Sequence, residues 1–321
     1  MIALSLALLQ APQPKADTVP PASAVESPFV GKSSGFTLYG TVTLPRDAKG
    51  PVPVILIVAG SGPTDRNANS PAGVKSNAYA QLAWRLSERG IASLRFDKRG
   101  IAASRGTFDS SMMAHTTMQV YANDVHALAD SLRADHRFSK VILAGHSEGS
   151  ALSIMAANDG APVAGVISLA GMGRPFASVL RAQLAQQLDS TALKMYDTSM
   201  TAYLAGRDPP VPAYLAPLFV PVNREYLKSM MAFDARQAGR LHCPVLILQG
   251  DFDLQVTVAD AEALHAADPA STLVVLTGDT HMFKIAASKD RMAEAPTYVD
   301  PTVPIDPRLI TTIADWVGNI R

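Results

Sequence analysis

From Phe36 to Pro45 polar and apolar residues alternate, as in a strand with one face on a core, and the continuous apolar run Pro53 to Val58 reads as a buried strand. The first predicts an edge strand; the second ends at Gly60-Ser61-Gly62-Pro63. Ala78 to Arg89 carries Leu82, Trp84 and Leu86 on helical spacing with Gly90 as its stop, and the short apolar strand Ile91 to Phe96 follows. The alternation continues with a helix over Met118 to Ala134, a strand at Val141 to Ala144, a helix over Ser150 to Asn158 and a strand at Val163 to Ala170. Further on come a strand at Val245 to Leu248, a helix over Ala259 to Ala267 and a strand at Leu273 to Leu276. Strands and helices alternating in this way predict an α/β fold with a mostly parallel central sheet covered by helices on both faces.

Residues 172–240 break the rhythm. They are helix-prone, rich in Tyr, Met and Phe, and interrupted by Pro209, Pro210, Pro212, Pro217 and Pro221. We expect a helical cap here, inserted into a core formed by residues 31–171 and 241–321, with a peripheral helical layer as the plainer alternative. The apolar run Ile2 to Leu9 and the Pro-rich stretch Gln10 to Pro28 suggest a signal or leader with a linker over residues 1–30. The run is too short to span a bilayer, and no Lys or Arg precedes it. Export to the periplasm or medium is the expectation, with a cytoplasmic location as the alternative.

Composition narrows the function classes. The chain has 321 residues, 48% of them hydrophobic and 17% charged, which suits a globular chain with a large core. Its 28 basic residues balance 28 acidic ones without a basic cluster, so neither nucleic acid nor an anionic membrane is implied as partner. The single cysteine, Cys243, permits no intrachain disulfide and reads as a core filler.

Candidate chemistry gathers at predicted strand ends. Gly145-His146-Ser147-Glu148-Gly149 lies between the apolar strand Val141 to Ala144 and the helix-forming stretch Ala151 to Met155. Gly-x-Ser-x-Gly alone is a weak signal, but strand, sharp turn and helix together make a nucleophile elbow that exposes Ser147. A serine hydroxyl needs an imidazole to take its proton and a carboxylate to orient that imidazole, in the order Ser, acid, His for this fold. Of the later histidines, His265 falls on a predicted helix face and His242 before a strand, whereas His281 follows the strand Leu273 to Leu276 and is the expected base. His146 is expected to pack or hydrogen-bond within the elbow. Asp251 and Asp253 share one strand-end loop; Asp253 is preferred and Asp251 assigned to the turn, although spacing barely separates them. Asp279 reads as a turn former shaping the histidine loop.

The oxyanion of a tetrahedral intermediate needs backbone N–H donors, expected from Glu148, the residue after the nucleophile, and from Ser61 in the Gly60-Ser61-Gly62 loop. That loop lacks Gly-Lys-Ser/Thr and is not a phosphate loop. No dinucleotide fingerprint and no closely spaced ligand set occurs, so neither cofactor nor metal is expected.

These segments together resemble bacterial α/β-hydrolases of the carboxylesterase type, related to the serine aminopeptidase and dienelactone hydrolase branches. The resemblance runs from about Gly35 to Trp316 and rests on Gly60 to Asn67, Arg95-Phe96-Asp97-Lys98-Arg99-Gly100, Gly145 to Ser150, Gly250 to Val256 and the His281 loop. It implies an α/β-hydrolase fold, Asp253 as the acid and an oxyanion amide at Ser61. Two departures are Ala59, where many relatives have His, and Ile101-Ala102-Ala103-Ser104 after Arg99-Gly100. Dienelactone hydrolases use a cysteine nucleophile, and no cysteine occupies the elbow here. Asp65-Arg66 and Asp97-Lys98-Arg99 are expected to form ion pairs that fix the loops beside the elbow.

The expected activity is hydrolysis of a small carboxylic ester through an acyl-enzyme, with Ser147, His281 and Asp253 as the triad. Phe176, Tyr196, Tyr203, Tyr214, Phe219, Tyr226 and Phe233 of the insertion suggest an apolar substrate group, although such residues also build cores. The competing readings are a serine peptidase or amidase, and a catalytically silent binding protein of the same fold.

Overall fold

A computed structural model describes residues 15–320 except 17 and 107; the apolar run Ile2 to Leu9 lies outside them. Eight strands form one sheet: β1 (Ala24–Ser33), β2 (Phe36–Pro45), β3 (Val52–Val58), β4 (Ala92–Phe96), β5 (Phe138–His146), β6 (Gly165–Leu169), β7 (Val245–Gly250) and β8 (Thr272–Leu276). Their order is β1-β2-β4-β3-β5-β6-β7-β8. The pairs β1–β2 and β2–β4 are antiparallel, and every later pair is parallel. The architecture is the α/β-hydrolase fold.

The helices are α1 (Ala78–Ser87), α2 (Ser110–Ala114), α3 (Met118–Arg133), α4 (Glu148–Asn158), α5 (Phe176–Ala185), α6 (Ser190–Leu204), α7 (Arg224–Met231), α8 (Val258–Ala267), α9 (Arg291–Val299) and α10 (Pro307–Asn319). Among the described residues no helix is long and apolar enough to cross a membrane.

The continuous apolar run of β3 is explained by burial on both faces. Ile55 and Ile57 point to one side, against Leu82 and Leu86 of α1 and Leu309 and Ile313 of α10. Val54, Leu56 and Val58 point to the other, against Val125 and Leu128 of α3 and Leu152 of α4. Helix α10 starts with Asp306 accepting the Arg308 N–H and Pro307 in the first turn, the residue types that favour a helix start.

The edge of the sheet differs from the expectation. Phe36–Pro45 is second in the sheet, and β1 is the edge, paired along its whole length with β2. Residues 24–30, read as leader and linker, therefore belong to the sheet. Pro28 is compatible with this because an edge strand leaves one row of N–H groups unused. Between β6 and β7 the chain makes α5, α6 and α7 with short 3₁₀ turns. This segment carries a small core of its own, built from Tyr196, Met200, Tyr203, Leu215 and Phe219.

Candidate active site

The sharp turn from β5 into α4 forces Ser147 to φ 55° and ψ −120°. This conformation is strained for a residue with a side chain and persists only where the surroundings fix it. Gly145 and Gly149 fix it by being small. A Cβ on Gly145 would lie 2.1 Å from the Gly149 carbonyl oxygen, and one on Gly149 would lie 2.2 Å from the Val58 oxygen. The Ser147 N–H bonds the Leu169 carbonyl at 2.8 Å, tying the turn to β6.

Asp253 and His281 meet at the ends of β7 and β8. His281 Nδ1–H donates to Asp253 Oδ2 at 2.7 Å. The other oxygen, Oδ1, accepts the N–H groups of Gln255 at 2.7 Å and Val256 at 2.9 Å, and Gln249 Nε2 donates to Oδ2 at 3.1 Å. The carboxylate is thus fixed by its own loop. Burial is the largest influence on His281 and disfavours its charged form, but the Asp253 charge and hydrogen bond outweigh it and hold the pKa above the ordinary histidine value. Asp251 faces elsewhere and accepts the Gly278 N–H at 2.7 Å. Among the described residues no hydrogen bond joins the Ser147 hydroxyl to His281.

His146 links the two halves of the site. Its ring centroid lies 4.5 Å from that of His281, and its Nε2–H donates to the His281 carbonyl at 2.8 Å. The Tyr79 hydroxyl meets its Nδ1 at 2.7 Å and accepts the Gly60 N–H at 3.2 Å. The His281 carbonyl can only accept, so the neutral His146 ring carries its proton on Nε2 and Nδ1 accepts from the Tyr79 hydroxyl. Burial, and then the neighbouring charge of His281, lower the His146 pKa to about 3, so the ring is neutral and structural.

Gly60 brings its loop against the elbow: a Cβ there would lie 3.2 Å from Ser147 Cβ and 3.3 Å from the His146 carbonyl oxygen. Glu148 occupies the first position of α4, where a helix has no internal partner for its N–H. Neither the Ser61 N–H nor the Glu148 N–H donates to a protein acceptor among the described residues.

The charged segments beside the elbow form ion pairs. Arg66 meets Asp97 at 2.6 Å, and Arg99 Nε donates to Asp124 at 2.7 Å. Lys98 is 4% exposed and donates to the Gly60 carbonyl at 2.6 Å and to Glu148 Oε1 at 3.2 Å. A cavity of about 330 Å³ opens beside it, walled by Pro63, Ile101, Phe108, Met113, Tyr121 and Tyr226 among others. Of the seven aromatic residues expected to shape an apolar site, only Tyr226 lines this cavity; Tyr196, Tyr203 and Phe219 are core and Tyr214 is exposed.

Two participants escaped the sequence, and a third, Lys98, is expected there only as one of several ion-pairing charges. Tyr79 looks like a core aromatic on α1 and Glu294 of α9 a surface acid. Glu294 is buried, and its charge also raises the His281 pKa. Only the Arg95 to Gly100 segment offered a signal, by marking Lys98 as part of a shared motif. Asp279 does shape the histidine loop. It is wholly buried, and burial together with the adjacent Asp306 carboxyl pushes its pKa to about 9. His265 is half-buried and bonds Ser271 at 2.9 Å, His242 is exposed, and Cys243 packs half-buried against the core beneath β7. Among the described residues no group of three or more His, Cys, Asp or Glu side chains is placed to hold a metal.

Fold and strand-end geometry define an α/β hydrolase. A family model described as serine aminopeptidase, S33, matches residues 72–284, and the chain belongs to that hydrolase family. Esterase EstD of Thermotoga maritima is 27% identical over 286 residues, covering 87% of this chain, which spans 65% of that relative's length. Two solved structures share the fold. Est1E from Butyrivibrio proteoclasticus has a TM-score of 0.56 at 17% identity, covering 91% of this chain and 99% of its own. Proline iminopeptidase from Mycobacterium smegmatis has a TM-score of 0.58 at 15% identity, covering 91% and 98%.

Proposed function

We propose that this hydrolase cleaves carboxylic esters through an acyl-enzyme intermediate. Ser147 Oγ attacks the ester carbonyl, and His281 Nε2 takes the hydroxyl proton and passes it to the leaving alkoxide. Asp253 orients His281 and stabilises its charged form, while the Ser61 and Glu148 amides hold the oxyanion. Water, deprotonated by His281, then releases the acid and restores Ser147. The observation that carries this reading is the 2.7 Å Asp253–His281 bond, in a loop bonded through His146 to the strained turn that holds Ser147. Hydrogen bonds between nucleophile and base commonly tighten only when substrate binds. We read residues 172–240 as a cap and residues 31–171 and 241–321 as the core. The largely apolar and aromatic walls of the 330 Å³ cavity support a substrate with an uncharged apolar group.

The family's description favours a second reading, removal of an amino-terminal residue from a peptide. Such an enzyme needs a carboxylate for the substrate's ammonium group. Glu148 stands nearest the nucleophile in sequence, but Lys98 already neutralises it, which favours the ester. Labelling with a fluorophosphonate probe, compared with Ser147→Ala, tests the nucleophile; labelling that survives the substitution refutes it. Turnover of p-nitrophenyl acyl esters against amino-acid anilides tests the class, with anilide preference overturning the ester reading.

A further inference from the structure

Lys98 is a buried cation for which the hydrolytic steps have no use. Its ammonium touches two groups, the Gly60 carbonyl at 2.6 Å and the Glu148 carboxylate at 3.2 Å, and lies 5.4 Å from the centroid of the Tyr121 ring. The two contacts fall on the two stretches of backbone that offer unpartnered N–H groups to the oxyanion. Glu148 carries one of those N–H groups itself. The other belongs to Ser61, whose amide nitrogen is joined to the Gly60 carbonyl carbon in a single planar peptide unit.

We propose that Lys98 is a positioning residue of the oxyanion hole: by gripping the Gly60 carbonyl it aims the Ser61 N–H at the substrate carbonyl oxygen and holds it in register with the Glu148 N–H. This rests on Ser147 being the nucleophile and Ser61 a donor. In a planar trans peptide, C=O and N–H point in opposite directions, so fixing one fixes the other. The Gly60 N–H, in the preceding peptide unit, is separately held by the Tyr79 hydroxyl at 3.2 Å, so the peptides on both sides of the Gly60 Cα are anchored. A cation on the carbonyl also polarises the peptide and strengthens its N–H as a donor. A Cβ at position 60 would crowd Ser147 and His146 at 3.2 to 3.4 Å; the glycine there leaves the loop no side chain to set its orientation, and Lys98 supplies that constraint from just beyond β4.

Lys98→Met alone leaves Glu148 buried without its cation, so it is paired with Lys98→Met/Glu148→Gln, which removes both charges. For the folded double variant, kcat on p-nitrophenyl acetate is expected to fall about 100-fold, at the low end of the loss of an oxyanion donor, with KM changed less than about threefold. Affinity for a trifluoromethyl ketone, which forms an oxyanion on the nucleophile, is expected to fall by the same factor as kcat/KM. Retention of kcat within about threefold overturns the proposal, as does a loss in which the ketone weakens no more than a ground-state ester analogue. If hydrolysis survives Ser147→Ala in the chain that keeps Lys98 and Glu148, the reading of the nucleophile has failed, whatever the Lys98 variants do.

Discussion

Asp253→Asn is the substitution whose outcome the geometry determines most closely. In the wild-type loop, Oδ1 accepts two backbone N–H groups that cannot be changed, those of Gln255 and Val256. The amide oxygen of an asparagine must therefore take that place, which puts its NH₂ where Oδ2 now accepts from His281 Nδ1 and Gln249 Nε2. Donor would face donor. His281 escapes by moving its proton to Nε2, the nitrogen that must be free to accept from Ser147. The expected loss is about 10⁴ in kcat, roughly 5.5 kcal/mol of transition-state stabilisation, with a stability cost of only about 1 kcal/mol, because Gln249 Nε2 keeps the Gly250 and Val256 carbonyls as acceptors. Removing the carboxylate charge leaves burial in control of His281, so the variant's residual activity should fall off with acid at a lower pH than the wild type's. Asp251→Asn is the control: an asparagine oxygen still accepts the Gly278 N–H, so kcat should stay within about threefold. Steady-state hydrolysis of p-nitrophenyl acetate with thermal melts of each variant makes the comparison. An Asp253→Asn protein keeping more than a tenth of wild-type kcat would falsify the assignment of the acid.

In the wild type, His281 accepts a proton only when neutral, and Asp253 raises its pKa; kcat/KM should therefore fall as pH drops through a midpoint above 6.5, and a midpoint below that value contradicts the pairing. Gly149→Ala drives a methyl to within 2.2 Å of the Val58 oxygen, where ordinary contact begins at 3.4 Å. Overpacking of about 1 to 3 kcal/mol should lower Tm by roughly 1 to 5 °C, read by calorimetry. The Asp279 proton is retained up to about pH 9 in the folded chain but is lost near the ordinary value of 3.8 when unfolded. Its stabilising effect is thus complete below that value and declines as pH rises toward 9, and Asp279→Asn should flatten this loss in melts at pH 5, 7 and 9.

Strand and helix identity was legible where hydrophobic period alone decides it, as in β3 and β5, and so was the elbow, because its glycines and flanking elements are local. Strand β1 was not. Its alternation is diluted by Pro28 and Gly31, and only pairing with β2 makes it a strand. Asp253 and Asp251 occupy the same loop and differ only in where their carboxylates point, which spacing cannot encode; the shared motif chose between them. Tyr79 and Lys98 act on Gly60 across 19 and 38 positions of chain, and no local pattern announces a contact of that kind.

The run of bonds from Gly60 through Tyr79 and His146 to His281 has a consequence for how such a hydrolase can diversify. The Gly60 loop and the His281 loop share one imidazole, so a change in the shape of either disturbs the other. None of those bonds passes through the residues between β6 and β7. That insertion, with a small core of its own, can accordingly be exchanged by recombination or redesign while the linked loops are inherited intact.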